Sequence, residues 1–256
     1  VQLRNVADVG SLYLQNVTSL LDRIRTEEHS KISAASALLA DQVTGDRLIH
    51  VFGPGGHSNL AAQEVFFRAG GLMHVSAILD EGTLLSNGAL RSMAVERTPG
   101  YGRIAIDNYD LRSEDMLILV NAYGINAAVI DAAITARKRK VKTIGISSFA
   151  HADLTDASHP ARHPSGENLH NIVDLAIDSK VPIGDAVVEI PGALETSGAV
   201  STFANAYILN WLTASTIFEL VSRGESPPIW RSGNAPGGDE ANARFIHRFS
   251  GRVKAL

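Results

Sequence analysis

No cysteine occurs in the 256 residues. That excludes disulfides, thiolate-bound zinc and a cysteine nucleophile, and it fits a reducing compartment. Long apolar runs are also absent. None approaches the roughly 18 residues needed to span a bilayer, and the opening VQLRNVADVG lacks the charged-then-apolar order of a signal peptide. The expectation is a cytoplasmic protein with no membrane partner. Nor is there a basic excess: 23 Lys and Arg stand against 27 Asp and Glu, a net charge of −4. The one basic cluster, ARKRK at 136–140, ends a predicted helix, where cations offset the dipole, so no nucleic-acid partner is expected. Internal repeats and low-complexity tracts are missing too.

What is present reads as one globular domain, with 45% hydrophobic and 20% charged residues. Residues 3 to about 40 carry helical periodicity, with Leu12, Val17, Leu20, Leu21 and Ile24 on one stripe and SKISAASALLA as a second amphipathic segment. Short apolar runs then alternate with helix-length segments. The predicted strands are 47–52, 73–79, 115–121, 141–147 and 174–179. Strands apolar on both faces and separated by helices predict an α/β fold, a doubly wound parallel five-stranded sheet flanked by helices. The division expected is an N-terminal helical segment (1–40), an α/β core (41–224) and a wrapping C-terminal tail (225–256). A last helix over 200–223 is apolar almost all round and should be buried against the sheet or a partner, and the Pro- and Gly-rich tail should wrap over a neighbour.

In such sheets ligands bind beyond the carboxyl ends of the strands. The loops there are GPGGHSN, DEGTLL, NAYGIN and SSFAH. The first of them, within VFGPGGHSNL at 51–60, bares the backbone between a strand and a helix start, which suits an anionic or strongly polar ligand. One reading is a dinucleotide site, with Asp80 at the end of the second strand as the ribose-binding acid; Ser58 replaces the third glycine of that fingerprint.

A second reading rests on resemblance. VFGPGGHSNLAAQEVFFRAGGL, followed by DMLILVNAYGINAAVIDAAITARKRKVKTIGISS, resembles the SIS (sugar isomerase) domain from about residue 30 to 223. ERTPGYG, RHPSGENL and GDAVVEIPG make it similar to a long branch of that family related to phosphoheptose isomerase. The resemblance implies either aldose–ketose isomerisation or regulatory binding of a sugar phosphate. It also implies a glutamate base on the helix after the glycine loop, where Glu64 stands. Glu64 shares a predicted helix face with Leu60 and Phe67, a setting that would raise its pKa, although an ion pair with Arg68 at i+4 is the alternative. Two departures stand out. The Ser/Thr hydroxyls expected in the second loop are replaced by NAYGIN, and Thr202 stands near the place of the catalytic histidine on the last helix.

A second acid/base must then come from His57, Glu81, Glu96 or His163. Glu81 and Glu96 bracket a stretch long enough to be a lid or binding loop. His159 and His163 lie four apart, but Pro160 and Pro164 break the shared helical face a metal pair would need, so no metal is expected. Substrate contacts are expected from Gly55, Gly56, Ser58, Asn59, Asn121, Asn126, Ser147, Ser148 and Thr202. The combined reading is an aldose–ketose isomerase acting through a cis-enediol, without a cofactor, on a small sugar whose far end is unphosphorylated or sulfonated. It would work as a homodimer or homotetramer with its site near the subunit interface. A non-catalytic sugar-binding module is the alternative, and a NAD-dependent oxidoreductase the third.

Overall fold

The computed structural model describes residue 3 and residues 5–256. Two helices open the chain, α1 (Val6–Glu27) and α2 (His29–Thr44), divided at Glu28; the second contains the SKISAASALLA segment and runs four residues past it. Then come β1 (Ile49–Phe52), α3 (Asn59–Val65), β2 (Val75–Ile78), two single 3-10 turns over 81–87, α4 (Ala89–Glu96) and α5 (Tyr101–Asp107). They are followed by β3 (Met116–Val120), α6 (Ala127–Lys138), β4 (Lys142–Ser147), α7 (Phe149–Leu154), α8 (Leu169–Ile172) and β5 (Leu175–Asp178). A hairpin of β6 (Ala186–Val188) and β7 (Ser197–Ala199), the long α9 (Ser201–Ser222) and α10 (Gly238–Phe249) complete the chain.

All five predicted strands are present, and they form one parallel sheet of order β2-β1-β3-β4-β5. The two-residue period of a strand divides its side chains between two cores. Met116, Ile118 and Val120 of β3 face α1, α2, α3 and α9, with Ile24, Leu39, Ile208 and Leu212 packed against them. Leu117 and Leu119 face α5 and α6, meeting Ile106, Val129 and Ile130. Every β3 position is therefore apolar because both faces are covered. No helix among the described residues is long and apolar enough to cross a membrane.

Within one chain α9 packs against the sheet side through Ala204, Ile208, Leu212 and Leu220, while Phe203, Phe218 and Val221 are exposed, on the part of the helix the sequence reading left to the sheet or a partner. The tail packs on its own chain. Trp230 pairs with the chain leading into β2, with the Gly70 N–H donating to the Trp230 carbonyl (2.8 Å) and the Trp230 N–H to that of Gly71 (2.9 Å). Phe249 of α10 lies edge-on to the fully buried His74 at 4.9 Å, and Arg248 and Arg252 grip Asp46 beside it. Burial first, then the charge of Arg248, pushes His74 down to about 4, so this clasp holds a neutral imidazole at pH 7.

Candidate active site

The site is built where β1, β3 and β4 end. After Phe52 the chain turns so tightly that a methyl group on Gly53 would overlap the Ser58 carbonyl, at 1.9 Å. The N–H groups of Gly55, Gly56, His57 and Ser58 donate to no acceptor among the described residues, leaving a small nest of donors. Asn59 is a staple for this loop rather than a free contact. Its Nδ2 donates to the carbonyls of Gly55 (2.8 Å) and Thr83 (2.9 Å), and the Ser92 hydroxyl of α4 donates to the same Thr83 carbonyl (2.8 Å). Those bonds dock the 81–96 segment onto the glycine loop.

Docking brings Glu96, at the end of α4, over Gly55. A methyl group at position 55, where φ is +129°, would stand 2.9 Å from both Glu96 carboxyl oxygens, so the approach requires glycine. Asn121, after β3, donates from Nδ2 to Glu96 Oε1 (3.4 Å) and to the Pro54 carbonyl (3.3 Å). Burial outweighs that hydrogen bond and the charge of Arg97, pushing the Glu96 carboxyl up to about 7. The other end of Asn121 accepts from the N–H groups of Tyr123 (3.2 Å) and Gly124 (2.8 Å). Asn121 thus ties the first loop, the second loop and Glu96 together.

At the ends of the second loop and of β4, Asn126 and Ser147 each have a buried side-chain oxygen that has no partner. Ser148 is committed elsewhere, donating to the Val181 carbonyl (2.6 Å) and capping α7 through the His151 N–H (3.3 Å). Across the second loop, Asp185 caps α9 by accepting from the Ser201 N–H (2.7 Å) and hydroxyl (2.6 Å).

His57, Glu64, Thr202 and Asn205 line a hollow of about 330 Å3 between α3 and α9, which His57 joins to the glycine loop. Glu64 does not sit on a helix face with Phe67. Helix α3 stops at Val65, Phe66 is extended, and Phe67 has φ of +49° with its ring tilted against that of Trp230, centroids 4.6 Å apart. The Glu64 carboxylate instead accepts from Asn210 Nδ2 (3.1 Å) and pairs with Arg68 (3.5 Å), the alternative raised by the i+4 spacing.

Three other residues stand outside this hollow. Glu81 is exposed at the first 3-10 turn. Asp80 accepts from the Tyr101 hydroxyl (2.8 Å) and the Thr83 N–H (3.2 Å), which occupies the carboxylate that a dinucleotide reading would leave free for ribose. His163 places Nε2 3.1 Å from Asp131 Oδ1, and Asp131 in turn accepts from the Gly100 N–H at 2.6 Å. His163 therefore anchors the turn that follows Glu96. Among the described residues no group of three or more His, Asp or Glu could hold a metal. Sequence reasoning passed over Tyr123 and Asp185; the only signal for either was a place in the loops beyond the strand ends.

A five-stranded parallel sheet of this order, with a glycine loop after its first strand, is a doubly wound α/β domain that matches the SIS type. The SIS domain matches residues 12–148, and the chain belongs to that family. It is 37% identical over 248 residues to a UPF0309 protein of Thermoanaerobacter pseudethanolicus, covering 95% of this chain and 98% of the relative. A UPF0309 protein of Streptomyces coelicolor is 35% identical over 243 residues, with 94% and 95% covered. Among solved structures, a phosphoheptose isomerase from Neisseria gonorrhoeae superposes with a TM-score of 0.56 at 14% identity, over 83% of this chain and 97% of that one. One from Francisella tularensis gives 0.50 at 17%, over 83% and 98%. At these identities what is shared is the fold.

Proposed function

We propose that the protein is an aldose–ketose isomerase acting on a small sugar through a cis-enediol. The observation that carries this is the Glu96 carboxyl, desolvated to a pKa of about 7 and lodged against the glycine loop. A base of that pKa is half ionised at neutral pH and returns its proton readily, as isomerisation requires. Glu96 takes the C2 proton and delivers it to C1. The Gly55–Ser58 N–H groups hold a ligand oxygen, and Asn126 and Ser147 supply further polar contacts. In the adjoining hollow, Glu64, His57 and Thr202 hold the sugar's hydroxyls. The phosphoheptose isomerases that share the fold support a sugar as the ligand.

The far end of the substrate is read from the second loop. Asn121 spends both ends of its amide on Pro54, Glu96, Tyr123 and Gly124, and Ser148 spends its hydroxyl on Val181. A phosphate dianion needs many converging donors and would find few, whereas a hydroxymethyl group or a singly charged sulfonate needs fewer. The expected result is that kcat/KM for D-glucose or 6-deoxy-6-sulfoglucose exceeds that for glucose 6-phosphate by tenfold or more, about 1.4 kcal/mol. A tenfold preference for the phosphate would overturn this assignment of the sugar's end. The second reading, a non-catalytic sugar-binding module, is favoured by the ion-paired Glu64 and by Thr202 in its hollow. It predicts binding of the same sugars with no exchange of the C2 proton in heavy water.

The exposed Phe203, Phe218 and Val221 on α9, beside the exposed Leu60 that lines the α3/α9 hollow, support a homodimer or homotetramer with that hollow near the interface. Sedimentation at micromolar concentration should give a multiple of 27.3 kDa. A clean monomer would remove the shared site.

A further inference from the structure

Moving a carbonyl from C1 to C2 shifts one proton between carbons and one between oxygens, so a single base does half the work. The second group must reach the same C1–C2 unit, have a proton to give, and be held still. Among the described residues, the candidate is Tyr123, which stands on the second loop two residues after the Asn121 that holds Glu96. Its ring stacks on His151 with centroids 3.8 Å apart and planes at 18°, and it packs beside Ile125, Ala152 and Ala161. Its N–H is fixed by Asn121 Oδ1, the same side chain whose Nδ2 holds Glu96. Yet its hydroxyl makes no hydrogen bond to protein and is not sealed from solvent. A half-buried tyrosine hydroxyl normally finds a partner, so one left open is set for a ligand.

We propose that the Tyr123 hydroxyl carries the proton between the two substrate oxygens while Glu96 carries the carbon-bound one; this rests on the isomerase reading above. Glu96 takes the proton from C2 as the Tyr123 O–H gives its proton to O1, which produces the enediol, a protonated Glu96 and a phenolate. The phenolate then takes the proton from O2 as Glu96 returns its own to C1. C2 becomes the carbonyl, and both side chains are restored. Burial, with the charges of Asp185 and Glu96 nearby, holds the phenol pKa above its usual value, so Tyr123 enters the reaction protonated. His151 is held below its usual range by burial, His159 and Arg162, and supports the ring as a neutral imidazole.

The test compares wild type with Tyr123→Phe, which keeps the stack and removes only the hydroxyl, on D-glucose, 6-deoxy-6-sulfoglucose and glucose 6-phosphate in heavy water. Ketose formation and loss of the C2 proton from recovered aldose are followed together. The variant should lose about 100-fold in kcat with little change in KM, the scale of a general acid. Its C2 exchange should fall less, so that exchange per ketose formed rises at least about fivefold, because the enediolate is reprotonated at C2 before the oxygens trade. A purely structural role would lower both in step, and that outcome, or a kcat within threefold of wild type, overturns the proposal. If the Phe variant does not fold, Tyr123→Leu is read by the same ratio. A wild type that forms no ketose and exchanges no C2 proton from any of the three sugars removes the isomerase reading itself, and the assignment to Tyr123 with it.

Discussion

Replacing Glu96 with Gln is expected to lower kcat/KM by about 100-fold or more while the protein stays folded, since Gln keeps the shape and loses only the titrating proton. The pH dependence sharpens this. In the wild type the active form is the carboxylate, so kcat/KM should rise with pH through about 7 and then level. The stability effect runs the other way. The folded-state pKa lies above the ordinary value of 4.5, so the contribution of the protonated carboxyl to folding is fully present below 4.5 and is lost as pH rises through about 7. Stability and activity should therefore move in opposite directions across that window, and Glu96→Gln should flatten both changes. An activity limb near 7 that survives in the variant would assign it to another group, and a variant within threefold of wild type would remove Glu96 from the reaction. Glu64→Gln in parallel separates the two carboxyls, because Glu64 is already paired with Arg68 and Asn210.

Replacing Lys180 with Ala should be among the most damaging changes to stability, although it lies outside the proposed chemistry. Its Nζ sits 2.9 Å from Glu28, 3.0 Å from Glu27 and 3.1 Å from Asp178, and Glu28 is only 2% exposed. Against the downward push of its own burial, the hydrogen bonds it donates to these three carboxylates hold the ammonium pKa above its usual value. Glu28 is the residue that divides α1 from α2, and its other oxygen accepts from the Asp178 N–H at the end of β5 (3.2 Å). Removing the cation leaves Glu28 and Asp178 charged in a desolvated corner with only Lys31 nearby, a loss of about 3–5 kcal/mol. Chemical denaturation at pH 7 measures it. A loss under about 1 kcal/mol would mean that water already screens the cluster, and Glu28→Gln in the Lys180→Met background should recover part of the loss.

The sheet was legible because its strands are apolar on both faces: MLILV in β3 can only be a strand covered on two sides. The β6/β7 hairpin was not, since three-residue strands of half-exposed Ala, Val, Ser and Gly carry no period to read. Within the site, the glycine loop announced itself through composition, as did Asn121 through its place after β3. Glu96 could be named only as one of two acids in a long connection, because its meeting with Gly55 depends on Asn59 and Ser92 converging on the Thr83 carbonyl. The apolar setting expected for Glu64 failed at a backbone detail. Phe66 leaves the helix, and a left-handed Phe67 carries its ring toward Trp230, so helical spacing no longer governs that face. His163 was singled out for chemistry, yet its partner Asp131 lies on α6, and only tertiary packing brings the two together.

The tail has a consequence of a different kind. Strand β2 forms one rim of the sheet, and an open rim is a row of backbone donors and acceptors that can template pairing with a second chain. The segment leading into it is already engaged: Gly70 and Gly71 exchange hydrogen bonds with Trp230, and Met73 donates to the Pro228 carbonyl at 3.1 Å. The tail thereby acts as a selvedge for the sheet. Changes at 228–230 should register first in colloidal behaviour, as self-association through a frayed rim, while the chemistry at the opposite ends of the strands continues undisturbed.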